Sequence, residues 1–158
     1  MVDRHDPYPR FALDRHWHMV RANRTATRLM GGFGIAESGS LLDALLDLAP
    51  LRDAIVNLDE VAVHTRARLV AESRHYGGDP VLDGAIERLD AATDVKFDPG
   101  AANPIGAFVP VRYRVGDTEL SFVSAFSHFQ NAQDVAMAEI RVELMFPADE
   151  RTKEALGE

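Results

Sequence analysis

Two histidines flank the only tryptophan near the start of the chain, and they are the first residues that could do chemistry. His16 and His18 are two positions apart, so on a β-strand both side chains would point to the same face, where a metal ion could bind them. No further set of Asp, Glu and His stands near them in the sequence. We therefore predict no metal site and interpret the pair as turn and strand residues beside Trp17.

A serine-rich stretch near a histidine is the second candidate for chemistry. Ser121, Ser124 and Ser127 precede His128, but neighbouring residues of a strand alternate faces and no strained turn presents a serine oxygen. The G-x-S-x-G, H-E-x-x-H and G-x-x-x-x-G-K-[ST] motifs are absent from the sequence. We predict that the protein is not an enzyme, with no catalytic residue and no cofactor.

Composition and charge exclude further classes of protein. The 158 residues carry a formal net charge of −8 without a block of Lys and Arg, so this chain alone is not expected to contact nucleic acid. The sequence contains no cysteine, which excludes disulfides and thiolate metal sites. No apolar run approaches a membrane span and the N-terminus lacks a signal peptide, which predicts a cytoplasmic protein with no membrane partner.

The first elements that must position any site are two short strands and a helix. Residues 10–22 contain two β-compatible runs around Asp14, which predicts a hairpin with a tight turn. Asn23 is a typical N-cap for a helix from Arg24 to about Met30, which Gly31 and Gly32 would end. Capping alone predicts a cost of about 0.5–2 kcal/mol for Asn23→Ala and almost none for Asn23→Asp.

The middle of the chain is predicted to be helical. Ser40 is a predicted cap for a helix that ends before Pro50, and its apolar residues are Leu42, Leu45, Leu46 and Ala49. Asn57, with Glu60 three residues later, forms a variant of the capping box for a long helix that ends near Gly77. Asp79 and Pro80 begin another helix. Arg66, Arg68 and Arg74 share the long helix with Glu60 and Glu72, which favours a solvated, salt-bridged face.

The pattern changes to a period of two after residue 108 and predicts an antiparallel meander. The first strand holds Val109, Val111, Tyr113 and Val115, a hairpin turn spans residues 115–118, and the second strand runs from Leu120 to about Phe129. A third strand starts near Ala138, with Ile140, Val142, Leu144 and Phe146 on the apolar face and Arg141, Glu143 and Met145 opposite. Asp149 is a predicted cap for a last helix through Leu156.

Two passages, FALDRHWHMVRANRTATRLMGGFG and ELSFVSAFSHFQNAQDVAMAEIRVELMFPADERT, resemble a known family. They are similar to the C-terminal MmyB-like ligand-binding domain of XRE-type helix-turn-helix bacterial transcription regulators. The matching residues are Trp17, Ala22, Asn23, Arg24, Ala26, Gln133, Asp134, Val135, Ile140, Arg141, Glu143 and Phe146 to Glu150.

The resemblance implies an α+β, PAS-like fold, in which helices pack over one face of a curved antiparallel sheet. It covers most of the chain, so we predict a disordered segment at residues 1–7 and one ligand-binding domain at residues 8–158. In the family a helix-turn-helix precedes this domain. Nothing before residue 8 could form one, so we expect it to be absent from this chain and DNA contact to come through an attached helix-turn-helix in the full regulator.

The function that the resemblance implies is ligand sensing by a transcription regulator, as a homodimer. The ligand would be an apolar small molecule, a fatty acid or acyl chain, bound between sheet and helices. The predicted pocket residues are Trp17, Met19, Leu29, Met30, Leu45, Val111, Tyr113, Phe122, Phe126 and Val142, and Met137 could join Met19 and Met30 in an adaptable lining. The alternative is a dimerisation or scaffold module with a filled core and no ligand.

Overall fold

The computed structural model describes residues 5–96, 109–128 and 139–157, and in these ranges it contains six helices and five strands. The first strands and helix are β1 (Arg10–Leu13), β2 (Met19–Ala22) and α1 (Arg24–Gly32). The helical middle comprises α2 (Leu41–Asp47), α3 (Ala49–Ala54), α4 (Leu58–His75) and α5 (Pro80–Ala91). The last elements are β3 (Val111–Val115), β4 (Thr118–His128), β5 (Arg141–Pro147) and α6 (Glu150–Ala155).

The five strands form one antiparallel sheet in the order β2-β1-β5-β4-β3. Strands β3, β4 and β5 are the predicted meander, and the predicted hairpin of β1 and β2 adds to its β5 edge. The sheet curls into a half-barrel with the helices packed on it, which confirms the predicted α+β class. The predicted domain boundary after residue 7 is not tested by these elements and stays a prediction.

Side-chain caps start four helices at the predicted residues. Asn23 accepts a hydrogen bond from the backbone N–H of Ala26, and Ser40, Asp79 and Asp149 play the same part for α2, α5 and α6. The structure therefore confirms these four predictions. The sequence could predict the caps because a cap depends on residues within one turn of it. Each cap fixes where its helix begins and so which side chains face the sheet.

The predicted capping box at Asn57 is wrong. Asn57 makes no side-chain cap, although its amide reaches Glu60 at 3.2 Å. Its Nδ2 donates to the carbonyl of Pro110 at 2.7 Å, and its Oδ1 accepts from the backbone N–H of Arg112 at 3.0 Å. Asn57 therefore attaches the start of α4 to β3, because a side-chain amide pairs with exposed strand backbone as a neighbouring strand would.

Two predicted helix ends also differ from the structure. Gly31 and Gly32 lie inside the last turn of α1, and the chain turns away at Gly34, whose φ is +86°. Pro50 stands in the first turn of α3, where its missing N–H costs nothing, so it begins a helix there.

The predicted faces of β5 are wrong as well. Arg141 and Met145 are 4% and 2% exposed, whereas Phe146 is 39% exposed and packs against the rings of His5 and Tyr8. Val142 is also buried, so this central strand is covered on both faces. A strand covered on both faces does not show the simple alternation of apolar and polar residues that we assumed.

Candidate ligand-binding cavity

A cavity of about 570 Å³ lies between the inner face of the sheet and helices α1 to α4. Its volume is within the range of about 300–1,000 Å³ that is usual for small-molecule sites. Its apolar lining residues belong to both the sheet and the helical side of the domain: Phe11, Trp17, Met30, Leu41, Leu45, Leu51, Ile55, Val61, Ala67, Ala71, Val109, Val111, Tyr113, Val123, Phe126 and Met145. Its polar walls are His64, Thr65, Arg68, Glu72, Ser124, His128 and Glu143.

Six of the ten predicted pocket residues line this cavity: Trp17, Met30, Leu45, Val111, Tyr113 and Phe126. The other four, Met19, Leu29, Phe122 and Val142, are not among its lining residues. Met19 and Phe122 are buried in the core beside it, and Leu29 packs against that core. Met137, Gln133, Asp134 and Val135 lie outside the described residues. A ligand-binding role for all ten residues remains a prediction.

The cavity changes from apolar to polar along its length. One end, the apolar end, is formed by Met30, Leu41, Leu45, Leu51 and Ile55. The other, the polar end, is formed by Arg68, Glu72, Phe126, His128 and Glu143.

Helix α4 and strand β5 produce this gradient together. Along α4 the lining passes from Val61 to His64, Arg68 and Glu72, which recur every four residues on one face. Asn57 pins the start of this helix to β3, and an ion pair of 2.7 Å joins Glu72 to Arg141 near its other end. The two ends of α4 thus fix the direction of the gradient relative to the sheet.

Glu72 is the centre of an ion cluster at the polar end. Its Oε1 pairs with Arg141 at 2.7 Å and accepts from Arg68 Nε at 2.9 Å, while its Oε2 accepts from the indole Nε1 of Trp17 at 2.9 Å. The Arg68 guanidinium lies 3.7 Å from the centre of the Phe126 ring and 4.3 Å from that of Trp17. Arg141 also stacks on Trp17, at 4.6 Å. Cation–π contacts of this kind are strongest where water is excluded.

The two guanidinium groups share one carboxylate and keep unused donors. Within the described residues, the buried atoms Arg68 Nη2, Arg141 Nε and Arg141 Nη2 have no hydrogen-bond partner. A buried donor left without a partner costs about 1–3 kcal/mol, and more when it is charged. The polar end therefore has an unmet demand for an acceptor.

Burial and charge set the protonation of these groups. Burial favours a higher pKa for Glu72, but Arg141, Arg68 and the hydrogen bond from Trp17 outweigh it, and the pKa lies below its usual range. Burial and the charge of Arg68 lower the pKa of His64, so its imidazole is neutral at pH 7. The wall of the cavity is thus charged at Glu72 and neutral at His64.

The lowered pKa of Glu72 predicts a specific loss of stability in acid. Below the ordinary value of 4.5 the unfolded state takes up a proton before folded Glu72 does, so stability falls as the pH drops through the folded pKa. We expect the difference in unfolding free energy between wild type and Glu72→Gln to shrink over this window. Urea unfolding at a series of pH values measures it. A difference that is constant from pH 7 to 3 would contradict the assignment.

The two histidines beside Trp17 do not form a site. Trp17 has a φ of +66°, so the segment is a turn in which His16 Nε2 contacts Asp79 Oδ2 at 3.0 Å and His18 Nδ1 contacts Asp14 Oδ2 at 3.3 Å. His16 thus lies in a turn and His18 in a bridge next to β2, as the interpretation of the pair as turn and strand residues predicts. No three His, Asp or Glu side chains in residues 5–96, 109–128 and 139–157 are grouped to hold a metal ion.

Two serines of the serine-rich strand make hydrogen bonds to other elements in the part of the chain that is described. Ser124 Oγ donates to Glu143 Oε1 at 2.7 Å, and the backbone N–H of Ser121 donates to Thr152 Oγ1 at 2.8 Å. Neither serine hydroxyl is paired with His128 there. Of the predicted solvated, salt-bridged face, Arg66 pairs with Asp90 at the surface, whereas Arg68 pairs with Glu72 in the cavity wall. No helix among the described residues is long and apolar enough to cross a bilayer.

The described elements thus form a curled antiparallel sheet with helices packed on it and a cavity between them. The chain belongs to the MmyB-like transcription regulator ligand binding domain family, whose sequence model matches residues 1–158, the whole chain. The family is a regulatory ligand-binding domain of transcription regulators. The curated proteins and the solved structures gave no match.

Proposed function

We propose that the domain senses a fatty acid or a related acyl chain for an XRE-type bacterial transcription regulator. The observation that carries this proposal is the cavity of about 570 Å³, which is apolar at one end and holds an arginine with an unpaired donor at the other. An acyl chain with a carboxylate head has the same distribution of polarity. Its tail would lie towards α1, α2 and α3 and its head towards Arg68.

The apolar end supplies the binding energy for the tail. Its lining side chains are leucine, isoleucine and methionine from three helices, and Met30 can adapt to a chain of irregular shape. Each methylene removed from water contributes about 0.8 kcal/mol. A buried chain of ten methylenes would contribute about 8 kcal/mol before the cost of ordering it.

Arg68 supplies the contact for the head. Its guanidinium is held by Glu72 through Nε and by the rings of Trp17 and Phe126, so little freedom is lost when a carboxylate binds. Charge-assisted bonds between guanidinium and carboxylate are about twice as strong as neutral ones.

The alternative, a scaffold with a filled core, is less well supported. It requires side chains to occupy the space between sheet and helices, and the described side chains leave a cavity there. We propose that ligand binding shifts the population of two arrangements of the helices, which alters the spacing of attached DNA-binding heads in a homodimer. The dimer, the attached helix-turn-helix and the cytoplasmic location stay predictions.

Trp17 allows the proposal to be tested directly, because it is the only tryptophan and it lines the cavity. Titration with tetradecanoic acid should change its emission and saturate at one molecule per chain. Val61→Phe places a larger ring in the cavity wall and should weaken binding at least tenfold, whereas the matched Val81→Phe on the exposed face of α5 should leave it unchanged. Equal binding by both variants, or no binding by wild type, would refute the proposal.

A further inference from the structure

We infer that Glu143 and Ser124 form a second polar subsite in this cavity, which accepts a hydrogen bond from a hydroxyl group on the ligand close to its acid head. The inference rests on the proposed function and refines it. The natural ligand would then be a hydroxylated acyl acid. The subsite is defined by two side chains on adjacent strands, β4 and β5, that both line the cavity.

Glu143 has unused capacity to accept hydrogen bonds. Among the described residues its carboxylate accepts one, from Ser124 Oγ to Oε1 at 2.7 Å. An ionised carboxylate has about four acceptor positions. It shares the cavity wall with Met145 and Tyr113, which carry no charge, and it interacts electrostatically with Arg141 and His64. A partly buried carboxylate in such a wall is stabilised by any donor that enters the cavity.

The position of Glu143 in the sheet would place the ligand hydroxyl that donates to it near the acid head of the ligand. Glu143 is directly opposite Phe126 in the pairing of β4 with β5, and residues so paired have Cβ atoms about 5 Å apart on the same face. The Phe126 ring in turn carries the Arg68 guanidinium at 3.7 Å. A head group on Arg68 is therefore separated from Glu143 by about the width of one side chain.

The charges around the subsite select the kind of donor. Arg68 lines the polar end and Arg141 lies beside it on Glu72, so a second cation on the ligand would be repelled by both. His64, which also lines the cavity, is neutral. A neutral hydroxyl donates to Glu143 without that repulsion.

Three acids of equal length test the inference through the emission of Trp17. Wild type should bind 3-hydroxytetradecanoic acid about tenfold more tightly than tetradecanoic acid, the gain expected of one hydrogen bond to a charged acceptor. The isomer with its hydroxyl at the far end should bind less tightly than the plain acid, because that hydroxyl would lie among the apolar residues of α2 and α3.

Substitutions at the subsite provide the controls. Glu143→Leu should abolish the preference for the 3-hydroxy acid over the plain acid. Glu143→Gln, which keeps the shape and removes the charge, should reduce the preference to two- or threefold and serves as the test should the leucine variant not fold. Circular dichroism of each variant checks its fold.

The outcomes separate the two proposals. If none of the acids changes the emission of Trp17, the proposed function fails and the inference fails with it. If the plain acid binds and the 3-hydroxy acid binds no more tightly, the inference alone is overturned. A preference that survives unchanged in both Glu143 variants also overturns it.

Discussion

Replacing Asn23 by aspartate should destabilise the domain by about 3–5 kcal/mol, the cost of an uncompensated buried charge. Asn23 is 1% exposed and uses both ends of its amide. Its Oδ1 accepts from the backbone N–H groups of Ala26 and Arg10, both at 3.0 Å. Its Nδ2 donates to the carbonyl of Tyr8 at 2.7 Å and to Asp6 Oδ1 at 2.8 Å. Aspartate cannot donate, so two acceptors would face a buried negative charge.

This result reverses the expectation from capping alone. Asn23→Ala should cost about 3 kcal/mol, since it leaves buried backbone donors unpaired, and Asn23→Asp should cost at least as much. The aspartate variant should regain stability as the pH falls from 7 towards 5, because burial beside Asp6 raises the pKa of the new carboxyl. Ser40→Ala, at a partly exposed cap of α2, is the control and should cost about 1 kcal/mol.

Urea unfolding of the three variants measures these costs. A midpoint for Asn23→Asp close to that of wild type would show that Asn23 acts as a cap and nothing more. The order of the aspartate and alanine variants is therefore the informative result, and it does not depend on the absolute size of either effect.

Replacing Glu72 by glutamine should cost about 3–5 kcal/mol at pH 7. Glu72 is the one carboxylate that pairs with both Arg68 and Arg141 within the described residues, and Arg141 is 4% exposed. Glutamine keeps the shape but leaves the buried Arg141 and the half-buried Arg68 without the carboxylate between them. If the new amide oxygen accepts from Trp17, the amide NH2 group faces the two guanidinium groups, so the loss combines the charge with the acceptor that Arg68 and Arg141 share.

A double-mutant cycle isolates the coupling within this cluster. Arg141→Met removes one of the two cations, so Glu72→Gln should cost less in that background than in wild type. Glu87→Gln on the exposed face of α5 is the matched control and should change stability by less than about 0.5 kcal/mol. Strictly additive costs in the cycle would contradict the ion cluster.

The elements that the sequence predicted correctly are those that depend on residues close to them in the sequence. The hairpin at residues 10–22 and the caps at Asn23, Ser40, Asp79 and Asp149 depend on residues within one or two turns. The period-two pattern located the meander for the same reason. Local backbone and side-chain preferences fix such features before tertiary packing is considered.

The features that sequence did not predict depend on distant partners. Trp17 meets Glu72 across 55 residues, and His16 meets Asp79 across 63. The recurrence of His64, Arg68 and Glu72 every four residues on α4 is a signal that could have located the polar end. The sequence alone favours a solvated face for Arg66, Arg68 and Arg74, because it does not show that the sheet covers the side of the helix that carries Arg68.

The central claim is that the cavity holds an acyl ligand, and native mass spectrometry of gently purified protein tests it most directly. The account predicts that wild type and Val81→Phe carry one bound acid per chain, with the mass of a hydroxylated acyl acid, and that Val61→Phe carries none. Wild-type protein that is repeatedly recovered without a ligand, and that takes up none from a mixture of acyl acids, would contradict it.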